Sequence, residues 1–319
     1  MITSLINLIQ SFIKKYKLQS ILVAISGGQD SILLINLLNQ IKNNYKITYI
    51  YIDHQWKSNS KSQIKHLINY IKSQNHKITI YQINRTTMSE NNCRQQRYHI
   101  IYQHAIKQDY KLIITGHNSS DKVETFFYNI IRKSGLEGLS SPIINNKINY
   151  KIFLLRPLLN LNKNKIYTLC KKLNLPIWSD NTNYIYTINR NRIRNELIPY
   201  MSNFFNVQVE NNLVYSIKNQ YYENEYIKQN ATKIYLKDKH PYKVAINCKN
   251  LSKQHFILQI KSLQIFYLNN LKINLNQENI KKIINTINKK LSKNKKAIIF
   301  EDKNYIHVLT YQWLYIEKK

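Results

Sequence analysis

Short apolar runs alternate with longer stretches of helical periodicity over the first 133 residues. A buried strand is a short run rich in β-branched residues, whereas a helix keeps apolar residues on one face over a longer span. The sequence predicts strands at 21–25, 46–52, 77–83 and 111–115, and helices at 32–38, 60–73, 89–108 and 120–133. This alternation is typical of a doubly wound parallel sheet, so we expect an α/β, Rossmann-like fold.

The pattern changes after Pro199, and neither glycine nor arginine occurs from residue 195 onward. Helices are predicted at 204–232 and 276–291, the second capped by Asn276, and a hairpin is predicted at 297–309. A chain of 319 residues is long enough for two cores. We therefore expect two domains, 1–205 and 206–319, of which the second is smaller and mostly helical or α+β.

Three properties of the chain exclude several classes of protein. No apolar run approaches the ~20 residues that span a bilayer, so no membrane segment is expected. Residues 1–17 predict an amphipathic helix that resembles neither a signal peptide nor a transit peptide. The cysteines are widely spaced without a Cys-x-x-Cys pair, which argues against zinc, iron–sulfur and disulfide frameworks and fits a reducing compartment. They are Cys93, Cys170 and Cys248.

The charge balance is strongly basic, with 48 basic and 17 acidic residues and a net charge of +31. Such an excess favours a polyanionic partner, nucleic acid first. AT-rich coding bias inflates lysine and explains part of the excess, but it does not explain the arginines. A planar guanidinium suits bidentate phosphate binding or a structural ion pair. The arginines are Arg85, Arg94, Arg97, Arg132, Arg156, Arg190, Arg192 and Arg194.

The segment Ser26-Gly27-Gly28-Gln29-Asp30-Ser31 lies between the first predicted strand and its helix. Glycine allows backbone amides to approach a phosphate, and a helix N-terminus adds unpaired N–H groups. The two serines add hydroxyl donors, and Asp30 is a candidate metal ligand or helix cap. The chain has only 5 glycines and two of them are here, which disfavours an ordinary turn. The segment matches neither the Walker nor the dinucleotide pattern.

Three further segments follow predicted parallel strands: 53–56, 84–97 and 116–124. Ligands bind at the carboxyl ends of such strands, so we expect these segments to converge with 26–31. Glu90, Arg94 and Arg97 share one face of the predicted helix, either as a solvated pair or with a guanidinium facing phosphate.

The 116–124 segment contains His117 followed by Asp121 and Glu124, which are neighbours on a helix. Two carboxylates and a histidine at the end of a strand suggest a Mg²⁺ or ammonium site. The alternative is that the acids cap the helix and interact with its dipole.

These motifs resemble a known family. The Ser-Gly-Gly-x-Asp-Ser segment resembles the PP-loop of N-type ATP pyrophosphatases. Gly-His-x-x-x-Asp-x-x-Glu-Thr at 116–125 and Arg-Lys-Ser-Gly-Leu-Glu-Gly-Leu at 132–139 resemble the tRNA(Ile)-lysidine synthetases. Many members carry His and Asp where this chain has Asn118 and Ser120. Other matching segments are Glu90–Tyr98, Arg156–Leu159, Asp180–Asn183 and Arg190–Arg194, with Pro199 following.

The resemblance implies that ATP adenylates C2 of cytidine 34 in the CAU anticodon of tRNA(Ile), and that free L-lysine then displaces AMP. It also implies ATP and Mg²⁺ as cofactors and a basic tRNA-binding domain at 206–319. The implied catalytic residues are Asp30, Arg94, Asp121 and His117. The implied nucleotide-binding residues are Ser26, Gly27, Gly28, Gln29, Asp30 and Ser31. The implied substrate contacts are Glu124, Arg97, Arg190 and Arg194, and the implied metal ligands are Asp30 and Asp121.

Two other functions are kept as alternatives. A PP-loop enzyme that thiolates tRNA usually needs cysteines near its site, and only Cys93 lies in the predicted catalytic region. A basic RNA-binding protein with a decayed nucleotide site is disfavoured by the intact 26–31 segment. The AT-biased composition favours a plastid-encoded protein of the chloroplast stroma, with a bacterial cytoplasm as second choice. A homodimer is left open.

Overall fold

The computed structural model describes residues 1–41, 45–53, 60–83, 90–140, 145–147, 152–177, 189–291, 296–301 and 304–319. These residues form two compact units, unit 1 at Met1–Ile217 and unit 2 at Lys218–Lys319. The boundary predicted between the two domains, 1–205 and 206–319, stays a prediction. No helix in the described ranges has the length and apolar character that crossing a membrane requires.

Unit 1 contains a twisted α/β sheet in the order β3-β2-β1-β4-β6-β5. Its strands are β1 (Ser20–Ile25), β2 (Lys46–Asp53), β3 (Lys77–Gln82), β4 (Leu112–Thr115), β5 (Asn145–Lys147) and β6 (Phe153–Leu155). All neighbours are parallel except β5, which runs antiparallel to β6. The predicted doubly wound parallel sheet is confirmed. The strand order reverses beside β1, so the crevice between the carboxyl ends of β1 and β4 is the expected ligand site.

Helices cover the sheet of unit 1. They are α1 (Ile2–Lys15), α2 (Gln29–Asn39), α3 (Ser60–Ser73), α4 (Glu90–Lys107), α5 (Ser119–Ile131), α6 (Leu136–Leu139), α7 (Lys163–Lys172), α8 (Asn189–Arg192) and α9 (Ile198–Phe204), with a π-helical turn at Ile193–Leu197. The middle of β1 and most of α2 are fully buried. A strand and a helix that are covered on both sides carry continuous apolar runs, which explains the runs at 21–25 and 32–38.

Unit 2 is an α+β structure with an antiparallel sheet in the order β7-β10-β9-β8. Its elements are the later part of α10 (Val209–Asp238), β7 (Ala245–Asn247), α11 (Cys248–Leu251), α12 (Phe256–Leu271), α13 (Gln277–Lys290), β8 (Ala297–Glu301), β9 (Tyr305–Thr310) and β10 (Trp313–Lys318). Its core joins α12 and α13 to the sheet through residues such as Leu263, Phe266 and Leu314.

Two predictions for the C-terminal half have different outcomes. The α13 prediction is confirmed, because Asn276 accepts a hydrogen bond from the Asn279 N–H at 2.8 Å and the predicted isoleucine face is buried. The continuous helix predicted at 204–232 is wrong at its start, since α9 ends at Phe204 and α10 begins at Val209. Asn206 causes a local turn by accepting the Gln208 N–H at 2.7 Å, a bond that competes with helix formation.

Candidate active site

The loop after β1 is built around Gly27, whose φ of +81° is a left-handed conformation that favours glycine. The Ser26 N–H donates to Ser31 Oγ at 2.9 Å, and this bond closes the loop over the start of α2. Gly28 caps α2 without a side-chain hydrogen bond. The first-turn amides of α2 therefore point to the mouth of the loop, where a phosphate would meet the positive end of the helix dipole.

A glutamine from α3 supports the same loop. Gln63 is buried, and its Nε2 donates to the Ser26 carbonyl at 3.4 Å. A Cβ at Gly27 would lie 3.1 Å from this amide nitrogen. Gly27 is thus fixed both by its backbone conformation and by the closeness of Gln63.

Asp30 joins the loop to the segment that follows β4. Its Oδ2 accepts a hydrogen bond from Asn118 Nδ2 at 3.1 Å. Burial, followed by the negative charge of Asp121, raises the pKa of Asp30 to about 7. Its Oδ1 is buried and has no hydrogen-bond partner among the described residues. A buried carboxylate oxygen with a raised pKa and no donor fits a divalent cation, so Asp30 suits Mg²⁺.

Asp121 takes part in a capping box at the start of α5. The Asp121 N–H donates to Asn118 Oδ1 at 2.9 Å, and the Asn118 N–H donates to Asp121 Oδ2 at 3.1 Å. Its other oxygen, Oδ1, lies 3.4 Å from Arg190 Nη2. The capping alternative is therefore confirmed for Asp121. Metal ligation by Asp121 stays a prediction, and no group of three or more His, Cys, Asp or Glu side chains suited to a metal occurs among the described residues.

Glu124 is fully buried and is surrounded by cations. Arg194 donates from Nε at 2.6 Å and from Nη2 at 2.8 Å, and Arg190 Nε donates at 2.8 Å. Lys163 Nζ lies 3.5 Å from Glu124 Oε1. Burial by itself would raise the pKa of Glu124, but the Arg194 hydrogen bond and the charges of Lys163 and Arg190 lower it to about 2. Glu124 is thus an anion at every physiological pH.

His117 is held between Thr115 and Tyr98. Its Nδ1 is 2.9 Å from Thr115 Oγ1, and its Nε2 is 3.4 Å from the Tyr98 hydroxyl. Removal from water, followed by nearby guanidinium groups, lowers the pKa of His117 well below its usual value. These groups belong, in decreasing order of effect, to Arg156, Arg94, Arg190 and Arg97. The lowered pKa keeps the ring neutral at physiological pH, with several guanidinium groups near it.

The predicted helix arginines contribute to that cluster. Arg94 lies over the Tyr98 ring, 5.9 Å from its centroid. Partial removal from water, followed by the like charges of Arg94 and Arg190, lowers the pKa of Arg97. Crowded like charges favour a bound anion, and within this cluster Arg190 is also paired with Glu124.

The structure brings together most of the predicted site residues. The Asn118–Asp30 hydrogen bond links segments 26–31 and 116–124, and Arg190 and Arg194 join them at Glu124. Residues 54–56, 84–89 and 180–183 lie outside the described residues, as does the side chain of Glu90.

Sequence reasoning missed Asn118, Gln63 and Lys163 as members of the site. The position of Asn118 before a helix was a usable capping signal. Lys163 begins α7 after the Asn162 cap, but nothing in its own sequence neighbourhood indicates the distant Glu124.

Comparisons with known proteins agree with this geometry. The PP-loop domain family matches residues 1–201. The chain is 44% identical over 324 residues to the chloroplastic tRNA(Ile)-lysidine synthase of Gracilaria tenuistipitata var. liui, with 99% of each chain covered. It is 34% identical to the chloroplastic tRNA(Ile)-lysidine synthase of Pyropia yezoensis, covering 94% of this chain and 90% of the relative. It is 31% identical to the tRNA(Ile)-lysidine synthase of Synechocystis sp., covering 84% and 83%.

A solved structure supports the fold. The U34-tRNA thiolase NcsA of Methanococcus maripaludis superposes with a TM-score of 0.53 at 18% identity, covering 64% of this chain and 71% of the thiolase. At this identity the likeness supports the fold of the sheet and says nothing about the reaction.

Proposed function

Since the chain belongs to the tRNA(Ile)-lysidine synthase family, we propose that it joins free L-lysine to C2 of cytidine 34 in the CAU anticodon of tRNA(Ile). The chain is an ATP-dependent ligase with a PP-loop domain. ATP first adenylates the C2 oxygen and releases pyrophosphate. The amine of lysine then attacks C2 and releases AMP, which leaves lysidine.

One observation carries the proposal, the hydrogen bond between Asn118 and Asp30. It holds the nucleotide loop against the acids of α5 at the switch point of the sheet. An enzyme that adenylates one substrate and then adds a second needs the nucleotide site and the second-substrate site side by side. The arrangement of 26–31 beside Asp121 and Glu124 supports this pairing.

The loop residues would receive the leaving pyrophosphate. The amides of Gly27, Gly28 and Gln29 and the hydroxyls of Ser26 and Ser31 are the donors. Arg94 and Arg97 extend positive charge from α4 and would steady the α-phosphate as charge develops in the transition state. Since Asp30 Oδ1 has no donor in the described part of the site, we assign Asp30 as the Mg²⁺ ligand. When bound, Mg²⁺ offsets negative charge on the leaving oxygens.

The acids of α5 would position lysine. Glu124 already accepts the ammonium group of Lys163 at 3.5 Å, so its carboxylate can hold an ammonium group. We propose that Glu124, together with Asp121, orients the ammonium group of the substrate or completes the metal shell. Arg190 and Arg194 hold Glu124 through ion pairs, and we propose that they also contact the substrates. His117, being neutral, either relays a proton or only supports Tyr98 and Thr115.

The remaining proposals concern the whole chain. Residues 1–205 would act as the PP-loop catalytic domain, and residues 206–319 would bind tRNA through their basic surface. The Gracilaria and Pyropia relatives are chloroplastic synthases, and we assign this chain to the chloroplast stroma. A homodimer stays a proposal for solution measurement.

The thiolation alternative is not favoured. All three cysteines are buried. Burial raises the pKa of Cys170 to about 11 and that of Cys248 to about 12. A sulfur-transfer enzyme needs accessible thiolates with low pKa values.

The decisive experiment incubates the purified protein with ATP, Mg²⁺, labelled lysine and unmodified tRNA(Ile) carrying CAU, with tRNA(Met) as control. We expect lysine to enter tRNA(Ile) only, with AMP and pyrophosphate released. Pyrophosphate release without lysine incorporation would overturn the assignment of the nucleophile. Folded protein that does not turn over ATP would overturn the enzyme proposal and favour the RNA-binding alternative.

A further inference from the structure

The helix α10 carries exposed lysines and tyrosines along one face. Successive helical residues turn by about 100°, so positions spaced by three or four stay on one side. We name this face the α10 stripe, and it lies within unit 2. Its members are Lys218, Tyr222, Tyr226, Gln229, Lys233 and Lys237, all of them exposed. At a rise of about 1.5 Å per residue the stripe is roughly 28 Å long.

The opposite face of the same helix is buried. Asn224, Ala231, Tyr235 and Asp238 are each less than a tenth exposed and lie on the side away from the stripe. The helix is therefore anchored by one face and presents the other to solvent. The stripe contains no acid, and Glu223 and Glu225 lie to either side of it.

The tyrosines make the stripe more than an ordinary solvated lysine face. Tyr222 is 57% exposed and Tyr226 is 70% exposed, one helical turn apart. Lys218 Nζ lies 5.9 Å from the centroid of the Tyr222 ring, so cation and ring are already associated. Exposed aromatic rings between lysines are the pattern on which nucleic-acid bases stack while phosphates meet ammonium groups.

A cavity of about 360 Å³ borders the C-terminal end of the stripe. It is lined by Lys233 and Lys237 from α10 and by Lys253 from the segment before α12. The carboxylate in its wall, Asp238, is buried and accepts a hydrogen bond from Asn250 at 3.1 Å. Three lysines against one carboxylate leave the lining of the cavity positively charged, which suits an anion such as a backbone phosphate.

We infer that the α10 stripe and the adjoining cavity form a contact surface for the sugar–phosphate backbone and unpaired bases of tRNA. This inference rests on the proposed function, and it names the surface through which unit 2 would hold the RNA. The charge of the stripe is complementary to a polyanion, and its exposed tyrosine rings can stack on unpaired bases. Contacts of this type position the RNA without reading its sequence.

The first test neutralises the lysines that the stripe and the cavity share. We expect Lys233→Ala/Lys237→Ala to weaken binding of tRNA(Ile) by about 10- to 100-fold at 0.1 M salt and to lower the slope of log K against log salt by about 2. The matched control is Lys281→Ala/Lys282→Ala, which removes the same charge from the exposed side of α13 and should act much less.

The second test removes the rings. We expect Tyr222→Ala/Tyr226→Ala to weaken binding by about tenfold or more without changing the salt slope. Tyr242→Ala removes a tyrosine that is 92% exposed outside the stripe and serves as control. Both stripe variants should weaken the binding of tRNA(Met) and of tRNA(Ile) alike. Their helicity, thermal midpoint and ATP binding should match those of the wild type.

Steady-state kinetics separates the two proposals. If the inference is right, the stripe variants raise KM for tRNA and leave KM for lysine unchanged. If wild-type protein incorporates lysine while the stripe variants bind tRNA as tightly as their controls, the stripe inference is overturned and the synthase proposal stands. If wild-type protein incorporates no lysine but the stripe variants bind tRNA more weakly than their controls, the synthase proposal is overturned and the stripe inference stands. Stripe variants that dissociate a dimer with unchanged tRNA affinity would overturn the inference in favour of a second copy.

Discussion

Unit 1 and unit 2 use positive charge in opposite ways. All arginines of the chain lie before unit 2, and Arg190 and Arg194 hold the buried Glu124 with several hydrogen bonds. In unit 2 the α10 stripe offers lysines to solvent and contains no acid. A guanidinium fixes direction as well as charge, whereas an ammonium on a flexible stem supplies charge alone. This contrast supports our proposals that unit 1 positions the reacting groups and that unit 2 holds the RNA.

The largest expected effect comes from Asp30. We expect Asp30→Ala to lower the rate of adenylation by ~10³-fold or more, because the loop loses the carboxylate that we propose as the Mg²⁺ ligand. Binding of tRNA should not change, since the stripe is intact. Asp30→Asn keeps an acceptor for Asn118 and removes only the charge, and it should be equally inactive. Pyrophosphate release from ATP and tRNA measures the rate, and wild-type turnover by Asp30→Asn would refute the metal assignment.

The next effect tests whether the charges of unit 1 are structural. We expect Glu124→Gln to lower the free energy of unfolding by about 3 kcal/mol, because two guanidinium groups and one ammonium group lose their shared anion. The matched change in unit 2 is Glu301→Gln, whose partner Lys319 is exposed. That change should cost less than about 1 kcal/mol. Urea denaturation of both variants measures the two losses of unfolding free energy. Equal losses would contradict the contrast between the units.

Glu124 and Asp30 should change the stability of the protein in opposite directions as the pH rises. Glu124 has a lowered pKa, so its contribution to stability is present above pH 4.5 and is lost as the pH falls toward about 2. Asp30 has a raised pKa, so the native state holds an extra proton between about pH 4 and 7 and stability falls as the pH rises through that window. The unfolding free energies are measured without nucleotide or metal. The difference between wild type and Glu124→Gln should rise with pH, whereas the difference between wild type and Asp30→Asn should fall with pH.

The sequence predicts unit 1 better than unit 2 for a physical reason. Buried parallel strands are continuous apolar runs, and the 26–31 segment is fixed by its own glycine and serine residues. In unit 2, β7 has only three residues and pairs with the distant β10, so no local period indicates it. The 204–232 prediction failed because the side chain of Asn206 breaks the helical pattern.

The candidate site shows the same limit. The sequence indicates Asp121 and Glu124 as neighbours, since both lie on α5. It does not indicate that Lys163 and Arg194 surround Glu124, because those contacts cross 39 and 70 positions of the chain. Residue type still carried information, because arginine in a lysine-rich chain was expected to serve either phosphate or an ion pair, and Arg194 forms the ion pair.

The smallest expected effect exchanges the two kinds of cation. Arg194→Lys keeps the charge beside Glu124 but cannot reproduce the Nε and Nη2 hydrogen bonds at 2.6 and 2.8 Å. We expect it to cost about 1–2 kcal/mol of unfolding free energy, close to the loss of one or two charged hydrogen bonds. The reverse exchange, Lys237→Arg on the stripe, should stay within about 0.5 kcal/mol and leave tRNA affinity within a few fold, because a solvated cation facing a phosphate needs no fixed direction. Thermal denaturation and tRNA binding of the two variants measure the difference. A Lys237→Arg cost as large as that of Arg194→Lys would mean that the stripe is as ordered as the buried site, and the division between positioned and mobile charge would no longer separate the units.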